Sequence, residues 1–261
     1  MSEYQTIKYE TRGLSARITL NRPEVRNAIN DQLEAEVKHA LRRADADDEV
    51  RVIVLTGAAP SFCSGIDLKR HKGRTSREAR AHFESFYWGF HTTHRSLSKP
   101  TLAVVNGAAR EAGCTMAYMC DMIIAAESAS FGLPAVDRGI VPAYHIVHLP
   151  RLVGRLRAFE ICFSGDPISA AEAAQLNIVN RCVPDAELEA QTEAMIERFA
   201  HKPKEMLKVG KELFYRLMDM EFEKGIRTAA DIVALLASYP ESREGFSAYV
   251  EKREADWGTV Q

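Results

Sequence analysis

No stretch of the chain approaches the ~20 consecutive apolar residues of a membrane-spanning helix. The amino terminus, Met1-Ser-Glu-Tyr-Gln-Thr-Ile-Lys-Tyr-Glu10, lacks the apolar run of a secretion signal, so neither a membrane partner nor export is expected. There is no G-x-G-x-x-G and no Walker loop, which argues against nicotinamide cofactors and nucleotide hydrolysis. Cysteine is sparse and unpaired by motif: five residues (63, 114, 120, 162 and 182), with no C-x-x-C. An odd count in a chain of this size reads as reduced, mostly buried thiols in a cytoplasmic protein. His91 and His94, like His145 and His148, have the i, i+3 spacing of some metal ligands. Neither pair comes with the glutamate of H-E-x-x-H or a placed cysteine pair, and no metal is expected. Charge of one sign is missing too: 34 Lys and Arg against 36 Asp and Glu leave a net charge of −2. Such a balance gives no field for nucleic acid or an anionic membrane. Any acidic ligand must be held by local cations.

What is present is enough for one substantial core in 261 residues. Short apolar runs rich in β-branched residues predict strands at Ala16–Leu20, Val52–Leu55, Leu102–Val105 and Met122–Ala126. Helical patterns lie between them. Asp31-Gln-Leu-Glu34 has the spacing of a capping box, followed by Leu33, Val37, Ala40, Leu41 and Ala44 on one face. Arg77–Leu97 has a weaker helical period. Alternation of strands and helices argues for an α/β architecture, without separating a doubly wound sheet from other windings. From Asp185 onward the pattern is helical throughout: Asp185–Ala200, Lys204–Met218, Glu221–Ser238 and Glu241–Ala255. Pro203 and Pro240 punctuate two of the starts.

Two predicted strands run into turns of small residues that open helices. One is Cys63-Ser-Gly-Ile-Asp67; the other is Asn106-Gly-Ala-Ala-Arg-Glu-Ala-Gly-Cys114. Turns of this kind leave backbone N–H groups unpaired and pointing outward. Taken alone they are also compatible with ordinary glycine-bearing loops. Ser64-Gly65 has the look of a G-x-S-x-G remnant, but the preceding glycine is missing.

Four stretches read in order carry a resemblance: Leu20-Asn-Arg-Pro-Glu-Val-Arg-Asn-Ala28, Thr56-Gly-Ala-Ala-Pro-Ser-Phe-Cys-Ser-Gly-Ile-Asp-Leu68, Lys99-Pro-Thr-Leu-Ala-Val-Val-Asn-Gly107 and Cys120-Asp-Met-Ile-Ile-Ala-Ala-Glu-Ser-Ala-Ser-Phe-Gly132. A fifth, Gly165-Asp-Pro-Ile-Ser-Ala-Ala-Glu-Ala-Ala174, follows. Together they resemble the crotonase (enoyl-CoA hydratase/isomerase) superfamily.

The resemblance implies a spiral of ββα turns over residues 1–184 and a carboxy-terminal helical region, 185–261, that builds a homotrimer or a hexamer made of two trimers. It also implies an acyl-CoA substrate, with coenzyme A entering as part of that substrate and no separate cofactor. Carried over position by position, the N–H groups of Ile66 and Ala112 form an oxyanion hole for the thioester oxygen while an enolate forms. Arg22, Arg26, Ser64 and Ile66 fall on the coenzyme A side, as do Phe246 and Lys252 with Arg253 on the last helix, which suit phosphate by charge.

Departures from the pattern decide the chemistry. The glutamates that align water in a hydratase belong at positions 115 and 135, and this chain has Thr115 and Ala135. A family Δ3,Δ2-isomerase needs the second acid, which is absent as well. The second loop normally has three glycines where Glu111, Ala112 and Gly113 stand. Glu111 either puts a carboxylate beside the hole or stabilises the helix N-terminus from outside. The usual glycine-rich loop is instead Asp137-Arg-Gly-Ile-Val-Pro-Ala-Tyr-His145, so Asp137, Tyr144 and His145 join Glu111 as candidates for hydrogen bonding or proton transfer. Decarboxylation, thioester hydrolysis or an atypical hydration or isomerisation all fit this set. A non-catalytic acyl-CoA-binding relative or assembly subunit is the alternative. Phe83, Phe86, Tyr87, Trp88 and His91 are candidates to shape the acyl pocket.

Overall fold

The computed structural model describes residues 4–70 and 73–257. They divide into two compact units, Met1–Ala200 and His201–Gln261. Ten strands belong to the first: β1 (Ile7–Arg12), β2 (Ser15–Leu20), β3 (Val52–Gly57), β4 (Ser61–Cys63), β5 (Thr101–Val105), β6 (Ala108–Arg110), β7 (Met122–Ala126), β8 (Ser130–Gly132), β9 (Ile168–Ser169) and β10 (Arg181–Val183). The helices are α1 (Asp31–Ala46), α2 (Ser76–Phe83), α3 (Gly89–Ser96), α4 (Ala112–Tyr118), α5 (Ala143–Ser164), α6 (Ala170–Gln175), α7 (Leu188–Ala200), α8 (Lys204–Met218), α9 (Phe222–Leu236) and α10 (Pro240–Glu251).

A six-stranded sheet runs in the order β1-β2-β3-β5-β7-β10 and a four-stranded sheet in the order β4-β6-β8-β9, so that the pairs β3/β4, β5/β6 and β7/β8 each give one strand to either sheet. All neighbours in the first sheet are parallel except the β1–β2 hairpin. This is the ββα spiral and not a doubly wound sheet. The apolar runs are continuous because the central strands are covered on both faces. Ile53, Leu55, Ala103, Val105, Ile123 and Ala125 face one core, while Val52, Val54, Leu102, Val104, Met122 and Ile124 face the other. The strand period of two makes that division.

Helix α7 fills the second face with Met195, Ile196 and Ala200. Arg17 on β2 reaches Glu193 of α7 at 2.6 Å. The residues from 185 to 200 therefore lie with the first unit, and the compact division falls after Ala200 instead of at 184/185.

Helix α1 buries the predicted face, Leu33, Val37, Ala40, Leu41 and Ala44. Its cap sits one residue earlier than the capping-box spacing indicates: Asn30 accepts the Leu33 N–H at 2.8 Å. Glu34 is thereby left to bind Lys38 at 2.5 Å and the Ser85 hydroxyl at 2.8 Å. The weaker pattern over 77–97 is a helix with a π-turn, Glu84–Trp88, between α2 and α3. No described helix is long and apolar enough to cross a membrane. In the second unit, Glu241 of α10 accepts the N–H groups of Glu205 and Met206 at the start of α8. Pro240 occupies the first turn of α10.

Candidate active site

Strand β4 ends at Cys63 and the chain turns through Ser64, Gly65 and Ile66. Gly65 has φ +91°, a conformation L side chains rarely adopt. The turn is pinned from both sides. The Ile29 N–H donates to Gly65 O at 2.8 Å, the Asp67 N–H to Ile29 O at 2.9 Å, and the Ser64 N–H to Arg26 O at 3.0 Å. Between these bonds, the Ile66 N–H meets no backbone acceptor among the described residues.

Strand β6 ends at Arg110, and the next residue, Glu111, has φ 48° and ψ −114°. Its N–H donates to Gly132 O at 3.0 Å. Ala112 then opens α4, where the first N–H groups have no carbonyl one turn back to bond. Gly113 lets α4 ride directly on the end of β4, since a Cβ there would overlap the Cys63 carbonyl oxygen. The two turns touch. A methyl on Gly65 would lie 3.0 Å from Arg110 O, 3.2 Å from Glu111 Cβ and 3.6 Å from Ala112 N.

Ile66 and Ala112 both line a cavity of about 490 Å³. Leu68, Phe83, Tyr87, Ile140 and Val141 give it apolar walls, and Arg26 and Arg138 supply cations. Two backbone donors beside an apolar slot can hold a carbonyl oxygen and its developing negative charge. A larger depression, about 700 Å³ beside α1 and α2, touches neither turn. Its charged residues pair among themselves, as in Lys38–Glu34 at 2.5 Å.

Glu111 is the carboxylate that lines the smaller cavity, in company with Ala135. Its side chain makes no capping bond to α4. It accepts the Ala135 N–H. Burial pushes its carboxyl up to about 7, against the lowering effects of the Ala135 N–H and Arg138. The role at the helix end is therefore not the one its side chain takes.

Thr115 is fully buried and donates weakly to Glu111 O at 3.4 Å. His145 Nε2 lies 3.1 Å from the same hydroxyl and 3.2 Å from Glu111 O. His145 Nδ1 is buried without a hydrogen-bond partner. The tautomer protonated on Nε2 leaves only a lone pair unpaired there, which is the cheaper arrangement. Burial holds the ring neutral, its pKa lowered to about 3. His145 thus grips the Glu111 peptide and does not face the cavity.

The other candidates separate. Tyr144 and His145 lie on the first turn of α5, not in a loop. Tyr144 stacks behind Tyr87, ring centroids 6.0 Å apart, and on His148 at 5.3 Å. The exposed Asp137 lies against Gly165, which ends α5, and is not among the cavity residues. Arg22 is engaged within its own turn: it donates to Ala28 O and lies 3.8 Å from Asp67. Arg26 and Ser64 do line the cavity, although the Ser64 hydroxyl donates to Val25 O. Phe246 and Lys252 are exposed on the second unit, with Lys252 ending α10 at φ 56°.

Of the aromatic candidates, Phe83 and Tyr87 are wall residues, whereas Phe86 is in the core and Trp88 is exposed with His91 stacked on it. Leu68, Arg138, Ile140 and Val141 were not foreseen. The only signal for Arg138 was its place beside Asp137.

The chain matches the Enoyl-CoA hydratase/isomerase family over residues 11–260. It is 33% identical to a probable enoyl-CoA hydratase of Rhizobium meliloti over 255 residues, covering 97% of this chain and 98% of that one. It is 32% identical to the 2,3-dehydroadipyl-CoA hydratase of Escherichia coli over 242 residues, 92% of this chain and 93% of the relative. Among solved structures, an enoyl-CoA hydratase of Mycobacterium smegmatis superposes with a TM-score of 0.92 at 32% identity, covering 98% and 100% of the two chains. With the two turns converging on one cavity, these likenesses place the chain in the enoyl-CoA hydratase/isomerase family.

Proposed function

We propose that the cavity takes the acyl end of a coenzyme A thioester, with the thioester oxygen between the N–H groups of Ile66 and Ala112, and that the protein works through the enolate. The observation that carries this is the contact of the two turns, which sets both donors on one cavity wall. Arg26, which lines the cavity, is the cation best placed to meet a coenzyme A phosphate, since Arg22 is engaged by Ala28 O and Asp67. Two N–H donors aimed at an enolate oxygen supply stabilisation only as charge develops, so they serve any reaction that passes through that anion.

Ordinary hydration fits poorly. A water adding across a double bond needs a group to hold and deprotonate it, and neither Thr115 nor Ala135 carries a carboxylate. Thr115 cannot even lend its hydroxyl, which is engaged with His145 and the Glu111 peptide. Thioester hydrolysis and decarboxylation gain no dedicated group in the cavity beyond those already named.

The test uses 3-butenoyl-CoA in D₂O, with deuterium at C2 followed by NMR, alongside crotonyl-CoA hydration in water. C2 exchange well above the enzyme-free rate is expected, with hydration far slower. Absence of C2 exchange with bound thioester would remove the enolate reading.

A further inference from the structure

We infer that Glu111 is the catalytic acid/base of this site, one carboxylate standing in for two, and that it moves a proton between carbons of an unsaturated acyl thioester, shifting the double bond. This rests on the enolate reading above.

The geometry around Glu111 is the argument. The residue directly precedes the donor Ala112, and its carboxylate is the acidic side chain among the cavity residues. Its backbone occupies a region that disfavours any residue with a Cβ, at φ 48°. Besides the Thr115 N–H, which donates to its carbonyl at 3.0 Å, four groups hold it there. Gly132 O accepts its N–H, the Thr115 hydroxyl and His145 Nε2 meet its carbonyl, and the Ala135 N–H meets its carboxylate. Positions 115 and 135, where the family resemblance calls for acids, carry no carboxylate, and both touch Glu111, Thr115 through its hydroxyl and N–H and Ala135 through its N–H. A glutamate kept only for the end of α4 would bond that end, and this one does not. The competing groups are elsewhere: Asp137 lies against Gly165, Tyr144 backs Tyr87, and His145 is buried and neutral.

A single base favours one reaction class. The C2–H proton passes to the Glu111 carboxylate, and the C–H pair enters the C1–C2 bond. The thioester oxygen becomes the enolate oxygen facing Ile66 and Ala112. The same carboxyl then returns the proton to C4, and the double bond moves from C3–C4 to C2–C3. The carboxylate is regenerated and nothing is consumed. Hydration would need the same carboxylate to position water with no second acid.

The carboxyl also suits both halves of the cycle, being raised to about 7 by burial. The groups facing it are Arg138, which lowers it, and Asp137, which raises it. Tyr87, Cys114 and Cys162 feel its charge but are themselves pushed upward, to about 12, about 12 and about 11, and stay neutral. His145 and His148 are lowered to about 3 and about 4 and are also uncharged.

The experiment compares the whole wild-type chain with Glu111→Gln and Glu111→Gly, using 3-butenoyl-CoA in D₂O. C2 deuteration and formation of conjugated crotonyl-CoA are read together, with affinity for butyryl-CoA from calorimetry. Both variants should lose exchange and conjugation by roughly 10²- to 10⁴-fold while binding butyryl-CoA within a few-fold of wild type. The wild-type conjugation rate should rise with pH through about 7, and the residual rate of the variants should not. The glycine variant, free of backbone strain, guards against a glutamine variant that folds poorly. Variants that bind and still exchange at the wild-type rate would overturn the role of Glu111 and leave the enolate reading standing. A wild-type protein that never exchanges C2 would overturn both. Crotonyl-CoA hydration outpacing conjugation would overturn the double-bond shift.

Discussion

The two turns that meet at the cavity solve one problem with different residues. Each places a donor N–H directly after a residue of positive φ: Ile66 follows Gly65 at +91°, and Ala112 follows Glu111 at +48°. In the first turn the residue is glycine, and the backbone is relaxed. In the second it is a glutamate, and the backbone is strained. Equal tasks at unequal conformational cost teach that the second turn is built for a side chain as well as for a donor. The strain is held in place by His145, Thr115, Gly132 and Ala135, whereas the Gly65 turn is pinned by main-chain bonds at Ile29 and Arg26.

Among substitutions that leave Glu111 in place, giving the first turn a side chain should do the most damage. In Gly65→Ala the new methyl would press on Arg110 O and Glu111 Cβ, 3.0 and 3.2 Å away, and the backbone would resist its φ. Pushing the turns apart misaligns the Ile66 and Ala112 donors. A fall in C2 exchange of roughly 10²- to 10³-fold is expected, as for loss of one oxyanion donor. Exchange rates of the purified variant, normalised to its folded fraction by circular dichroism, measure this. An unchanged rate would mean the contact between turns does not set the donors.

Removing the side chain from the second turn should have the reverse effect on stability. Both Glu111→Gly and Glu111→Ala lose the carboxylate, but only the glycine variant relaxes φ. The glycine variant should exceed the alanine variant by about 1–2 kcal/mol in urea unfolding, less the chain entropy that glycine adds to the unfolded state. Equal midpoints would erase the distinction between the turns.

Much of this was readable beforehand, for reasons that differ by region. Met122–Ala126 and Lys204–Met218 are bounded correctly because a doubly covered strand and an amphipathic helix impose unmistakable periods. The family resemblance, and not the turns alone, singles out Ile66 and Ala112, which line one cavity: glycine widens what a backbone can do, so small residues after a strand also fit ordinary loops. Asn30 displaced Asp31 as cap because both residues suit that position, and only the tertiary demand on Glu34 separates them. Tyr144 and His145 fall where the resemblance expects a glycine-rich loop, although Pro142 marks a helix start there as Pro203 does for α8. For Arg22, residue type suggests phosphate, and type alone does not disclose that its guanidinium bonds Ala28 O within its own turn and lies near Asp67. Glu111 was hardest: a glutamate in sequence does not announce a positive φ, and its choice between helix end and cavity is made by Ala135, 24 residues away.

The smallest effect isolates the carboxyl itself. The Glu111 carboxyl titrates at about 7 in the folded chain, against an ordinary 4.5. Between those values the folded state binds more protons than the unfolded state, so this group makes stability fall as pH rises from about 4.5 to about 7. Above that window the penalty is complete; below it the penalty is gone. His145 runs the other way, lowered to about 3 from 6.5, so acidification costs stability through it. Because His145 is present in both proteins, subtracting the stability of wild type from that of Glu111→Gln cancels its contribution. The glutamine variant should gain on wild type across the window by on the order of 1 kcal/mol, well short of the full shift because the carboxyl is partly open to solvent. Urea midpoints at several pH values across 4.5–7 give the curve. A flat difference would put the carboxylate in water, and the second turn would then differ from the first in strain alone.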